Sequence, residues 1–255
     1  MCELLGFSSR RKQNIDGYLH TFYSHCVNNP SGWGLAAFDG QDSRLYTEPV
    51  SADDSPLLPQ ILEKGIEAPT VLAHLRKATV GGIKPANCHP FVQKDSQGMQ
   101  WTLMHNGTIF SGLELLPYQE KQVGDTDSER ILLYLVDRIN GEIGRKGCEL
   151  NAFERFKVVE QMIDKLSYRN KLNLIIYDGE QMYVHVNMEG TLFYKSDESS
   201  TLFATVPLDE QGWEPLPLTT LFVYQNGKLQ YRGKNHHNEY IDVIGASVQQ
   251  YDYNI

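Results

Sequence analysis

MCELLGF, residues 1–7, puts a cysteine directly behind the initiator methionine and ahead of a short apolar run. Loss of Met1 would leave Cys2 carrying both a thiol and a free α-amine. Such an amine has a reference pKa of about 7.7–8.0, low enough to accept the thiol proton near neutral pH. The same residues suit an ordinary second-position cysteine entering a strand, so the rest of the chain has to decide between the two.

Beyond this start, Ile15, Leu19, Phe22, Tyr23 and Cys26 recur at helical spacing. The loop NNPSGWG (28–34) leads into a strand candidate at 35–38, and residues 71–75 and 101–104 read as further strands, each running into polar residues. Leu132, Leu135, Val136 and Ile139 mark one amphipathic helix. Phe153, Phe156, Val159, Ile163 and Leu166 mark a second, with Asn151 and Glu154 placed like a capping box. Hairpins are predicted around Asp178-Gly179 and Asn226-Gly227, dipeptides that favour tight primed turns. No repeat, linker or low-complexity segment interrupts the 255 residues, and one α+β domain spanning 1–255 is expected. The terminal YDYNI (251–255) receives no role.

Composition narrows the function classes. Apolar residues make up 41% and charged residues 22%, the balance of a chain that buries an ordinary core. Twenty-three Lys and Arg against 32 Asp and Glu give a net charge of −9, which argues against a nucleic-acid surface. No apolar run reaches the length of a membrane span, and residues 1–12 lack the pattern of a signal peptide. Four cysteines without a CxxC do not form a disulfide framework, so a cytoplasmic protein is expected.

Five polar groups stand where strands are predicted to end: Cys2, HLRKAT (74–79), NCHPF (87–91), HNG (105–107) and TDSE (126–129). Arg76 carries a guanidinium suited to a carboxylate, or else a surface salt bridge. Asn106-Gly107 offers an amide and an unhindered N–H, the donor pair of an oxyanion hole, or else a type I′ turn. Asp127 precedes a helix, where capping alone explains an acid. His74, His89, His105 and Cys88 match no compact zinc spacing, and no metal is expected.

Taken together, these segments resemble the class II glutamine amidotransferases, a family of N-terminal nucleophile hydrolases. The resemblance rests on Cys2, GWG (32–34), HLRKATVG (74–81), NCHPF (87–91), HNGTI (105–109) and TDSE (126–129), in that order, and covers about residues 2–225. The stretch LFATVPLDEQGWEPLP is similar to the ending of standalone members of the YafJ type and of γ-glutamyl hydrolases. There, Ser-Glu usually stands where this chain has Thr205-Val206, and no role is given to that position. The resemblance implies a four-layer αββα sandwich of two antiparallel sheets covered by helices. It implies Cys2 as nucleophile with its own α-amine as base, Asn106 and the Gly107 N–H as oxyanion donors, and no cofactor. Arg76 would bind the substrate α-carboxylate, Asp127 its α-ammonium, and Thr79 with the following loop would close over it. His89 would be structural support and Trp33 a wall near the nucleophile. Lys77 and Val80 depart from the family's usual residues, which bears on loop closure rather than on cleavage.

Three functions follow from these implications. The first is a standalone amidohydrolase acting on glutamine or a γ-glutamyl amide. The second is a glutaminase subunit passing ammonia to a separate synthase chain, because the roughly 30 residues after 225 are too few for an acceptor domain. The third is a non-catalytic γ-glutamyl-binding protein, which would result if Met1 stayed in place and blocked the base.

Overall fold

The computed structural model describes residues 1–40 and 42–242; YDYNI lies outside them. Seven strands make one sheet. From edge to edge they are Glu214–Pro215 (β11), Phe193–Ser196 (β9), Ser200–Ala204 (β10), Glu3–Asn14 (β1), Glu67–Leu75 (β4), Trp33–Asp39 (β2) and Asp42–Glu48 (β3). Six make the other: Lys228–Arg232 (β13), Phe222–Gln225 (β12), Met182–His185 (β8), Lys171–Tyr177 (β7), Gln100–Thr108 (β6) and Phe91–Lys94 (β5). All of these pairings are antiparallel.

The two-residue period of a strand sorts the apolar side chains into three layers. Leu5, Phe7, Leu35 and Val71 face helices Asp16–Ser24 (α1) and Leu58–Lys64 (α2), packing on Leu19, Phe22 and Ile61. Their neighbours Leu4, Ala36 and Leu72 point the other way, against Met104, Ile175 and Val184 of the second sheet. On the far side of that sheet, Leu103, Leu174 and Ile176 meet helices Asp127–Lys146 (α3) and Ala152–Ser167 (α4) through Ile131, Leu135, Val159 and Ile163. The result is the αββα layering that the resemblance implied. Among the described residues no helix is long and apolar enough to cross a membrane.

Local chemistry explains the element ends. Thr126 caps α3 by accepting from the Glu129 N–H, and Gly147 closes it in the left-handed conformation. Asn151 and Glu154 form the expected capping box of α4. Asn226 and Gly227 both have positive φ, 53° and 73°, between the paired Gln225 and Lys228, as a type I′ hairpin requires.

Two expectations are corrected. The other hairpin is a four-residue loop, 178–181, rather than a two-residue turn: Asp178 Oδ1 closes it by accepting from the N–H groups of Glu180 (2.9 Å) and Gln181 (2.7 Å), while Oδ2 accepts from Arg155 at 2.8 Å. HNG does not end a strand either. β6 continues through Thr108, with Asn106 opposite Asn173 and Gly107 opposite Leu172, so Asn106-Gly107 is extended ladder and no turn.

Candidate active site

Cys2 sits at the head of β1, the middle strand of its sheet, and is half-buried. Its strand is pinned on both flanks. Glu3 pairs with Leu75 of β4, while the Thr205 hydroxyl accepts from the Leu4 N–H at 2.9 Å and the Thr205 N–H donates to the Leu4 carbonyl at 3.0 Å. Thr205, to which sequence gave no role, thus holds the residue two places behind the sulfur. The Lys77 N–H donates to Cys2 Sγ at 3.3 Å, and the thiol lies 3.5 Å from the Lys77 carbonyl. Burial pushes the Cys2 thiol up. The Lys77 hydrogen bond and the charges of the amino terminus, Arg76 and Lys171 pull it back down. Burial also lowers the amino-terminal amine, helped by the charge of Lys77.

Across the inter-sheet space stands Asn106. Its parity along β6 is that of Met104, which packs between the sheets with Leu4, so Asn106 and Cys2 approach the same interior from opposite sheets. Asn106 is 2% exposed, and its Nδ2 has no hydrogen-bond partner. A buried donor left unpaired costs about 1–3 kcal/mol, so Nδ2 adds no hydrogen bond to the stability of the fold. Gly107 beside it could carry no side chain, since a Cβ would lie 2.0 Å from the Lys171 carbonyl oxygen. His105, on the opposite face of β6, is fixed between the Ser128 hydroxyl (3.0 Å) and the Lys171 carbonyl (3.2 Å).

Arg76 follows β4 and is 3% exposed, which rules out the surface salt bridge. Its guanidinium donates to the carbonyls of Val80 (3.0 Å), Gly81 (3.2 Å) and Gly82 (3.1 Å), so the loop expected to close over substrate rests on the residue expected to bind it. Thr79 lies exposed on that loop. Asn87 clasps the loop from below, donating to the Gly82 carbonyl at 2.8 Å and joining Asp125, whose carboxyl Asn87 and then Lys84 hold below its usual range. Asp127 is buried and its Oδ2 accepts from the Ile109 N–H at 2.8 Å. Capping does not account for it, because Thr126 performs that task and Glu129 reaches back to the N–H groups of Val123 and Gly124.

The supporting residues separate. His89 is buried against His74, ring centroids 4.0 Å apart, and burial drives both to the neutral form, His74 down to about 3. Its carbonyl lies so close to Gly34 that a Cβ there would come within 1.8 Å, which accounts for the second glycine of GWG. Trp33 belongs to the helix-facing core with Leu5 and Leu75, on the side of the sheet away from Leu4, and donates to Glu48 at 3.2 Å. Among the described residues no group of three or more His, Cys, Asp or Glu is arranged to hold a metal. A cavity of about 530 Å³ lies elsewhere, lined by Gln100 and Tyr177 at the opposite end of β6 and β7. Six residues of strand, about 20 Å, separate it from Asn106, and Arg155 at its wall is already paired with Asp178 and Glu180.

The chain belongs to the class II glutamine amidotransferases, whose family pattern it matches over residues 1–196. It is 27% identical over 92% of its length to an uncharacterised protein of Methanocaldococcus jannaschii. It is also 27% identical over 72% of its length to YafJ of Escherichia coli. The chain spans 72% of each of these relatives. Among solved structures, glutamine phosphoribosylpyrophosphate amidotransferase from B. subtilis superposes with a TM-score of 0.66 at 15% identity, covering 92% of this chain and 49% of that one. That likeness bears on the fold.

Proposed function

We propose that this amidotransferase domain, spanning 1–255, cleaves the side-chain amide of glutamine or of a γ-glutamyl amide through a Cys2 thioester. The observation that carries this reading is the buried, unpartnered Asn106 amide aimed into the same interior as the Cys2 sulfur. A neutral donor with no ground-state partner is what a developing oxyanion needs.

The residues divide the work as follows. Removal of Met1 frees the Cys2 α-amine, which takes the thiol proton. The thiolate attacks the amide carbon, and the carbonyl oxygen, now negative, receives the Asn106 Nδ2–H and the Gly107 N–H. The C–N bond breaks, the departing nitrogen takes the proton back from the α-ammonium, and ammonia or an amine leaves. Water, deprotonated by the same amine, then releases glutamate. Recognition of the zwitterionic head falls to Arg76 for the carboxylate and Asp127 for the ammonium. Binding exchanges three neutral carbonyl acceptors on Arg76 for one carboxylate, a stronger charge-assisted partner, and so frees the 80–82 loop to move over the substrate.

A trapping experiment tests the acyl step. Incubation with glutamine and hydroxylamine should yield γ-glutamyl hydroxamate from the wild type and none from Cys2→Ala. Ammonia release without hydroxamate would contradict a thioester. In a second reading the released ammonia passes to a synthase rather than to solvent. Glutaminase activity that rises only on addition of a co-purifying synthase would select it.

A further inference from the structure

Alternation along β7 sends Leu172, Leu174 and Ile176 toward α3 and α4, and Ile175 between the sheets. Lys171 and Asn173 share the parity of Ile175 and therefore face the interior that holds Cys2 and Asn106. Because Asn106 is paired with Asn173, Lys171 is its diagonal neighbour on the ladder, about 7–8 Å away. Lys171 is 8% exposed. Its ammonium donates to the sulfur of Met1, a weak acceptor and the residue whose removal the proposed chemistry requires. Burying an ammonium against a thioether replaces water poorly.

We propose that Lys171 is a positioning residue for the N-terminal nucleophile: an interior ammonium whose charge favours the Cys2 thiolate and keeps the α-amine exposed by loss of Met1 uncharged, ready to act as base. This rests on the function proposed above. The charged and titratable groups around it come from every neighbouring element. Arg76 and Lys77 follow β4, His105 lies on β6, Asp127 begins α3, and Asp242 belongs to the C-terminal segment, where Tyr240 stacks on Phe110 at 5.8 Å. Burial brings Lys171 down to about 8, while the Cys2 sulfur and the Asp242 carboxylate pull it back up. With that value about nine-tenths of it is protonated at pH 7.

The test reads Cys2 itself. Iodoacetamide alkylation of Cys2, resolved by peptide mass spectrometry, is followed from pH 5 to 9 on Met1-free protein, with processing verified by intact mass. Lys171→Met should slow modification about tenfold between about pH 6 and 7, where Lys171 carries its charge, and the difference should fade above about pH 8. Lys171→Arg, which keeps the charge, should stay within about threefold of the wild type. Lys171→Gln repeats the measurement with a polar neutral side chain in case the methionine variant does not fold. Neutral variants that titrate like the wild type would overturn the proposal, as would an arginine variant shifted as far as methionine. Alkylation needs no glutamine, so a failure of the amidohydrolase reading would show separately, as absent hydroxamate with the Cys2 titration intact.

Discussion

Replacing Asn106 by alanine separates catalysis from stability, because the same feature that makes the residue useful makes it costly. Loss of one of the two proposed oxyanion donors should remove about 2.7–4 kcal/mol of transition-state stabilisation, a fall in kcat of about 10²–10³. KM should change little, since in the proposed mechanism Arg76 and Asp127 carry the binding of the head group. Stability should respond differently. Nδ2 is buried without a partner, so the folded protein is relieved of a desolvation cost of about 1–3 kcal/mol when it goes. Lost packing offsets this by a similar amount, leaving a net change within about 1 kcal/mol, or about 2–4 °C in Tm for a chain of this size. Steady-state glutamate release from glutamine and differential scanning calorimetry read the two quantities on one sample. A kcat within fivefold of the wild type would remove Asn106 from the oxyanion site. A Tm lowered by more than about 10 °C would show that the amide is a structural bond after all.

Other substitutions probe the scaffold. Gly107→Ala drives a methyl into the Lys171 carbonyl and should destabilise by about 1–3 kcal/mol or more, visible as a lower urea midpoint; an unchanged midpoint would mean that β6 and β7 can part without loss. Thr205→Val removes the acceptor of the Leu4 N–H and should cost about 1–3 kcal/mol, measured in the same assay, with no loss expected if water replaces the hydroxyl. The pH dependence has a definite sign. His74 and His185 are each brought to about 3 by burial, below the unfolded value of about 6.5. The unfolded chain therefore binds their protons first. Stability is full above about pH 6.5 and falls as pH drops toward 3, by about 3 kcal/mol for the pair between pH 7.5 and 5.5. Urea unfolding at those two pH values checks it, and equal stabilities would show that neither ring is held neutral by the fold.

The parts of this site that sequence revealed are those whose chemistry is carried by residue type in chain order. Cys2, Arg76, Asn106 and Asp127 could be proposed together because motif and order single them out. Where a residue's task depends on what crosses it from another element, sequence was silent or misleading. Asn-Gly has the same local propensity at 106 and at 226, yet only the second is a turn. The first is stretched into β6 by its partner Asn173 and by the Lys171 carbonyl pressed against Gly107. Asp178 is the turn residue its sequence suggests, but its second oxygen is taken by Arg155, from a helix more than twenty residues earlier, which lengthens the loop beyond the dipeptide. Lys171 belongs to no motif, and Thr205 departs from the residue usual at its place in the LFATVPLDEQGWEPLP stretch; only sheet pairing brings them to the nucleophile. Their one trace in the sequence is a lysine heading an otherwise apolar and amide-bearing strand. The Arg76 guanidinium shows the same limit: its residue type suggested a carboxylate, but its present acceptors are carbonyls of its own loop.

In the proposed mechanism Cys2 is a processed, glutamine-reading nucleophile. Intact mass spectrometry before and after exposure to 6-diazo-5-oxo-norleucine tests it most directly. A chain lacking Met1 should gain one adduct, mapped to residue 2 and absent from Cys2→Ala. A chain that has lost Met1 and gains no adduct, or gains it equally in Cys2→Ala, would contradict the account.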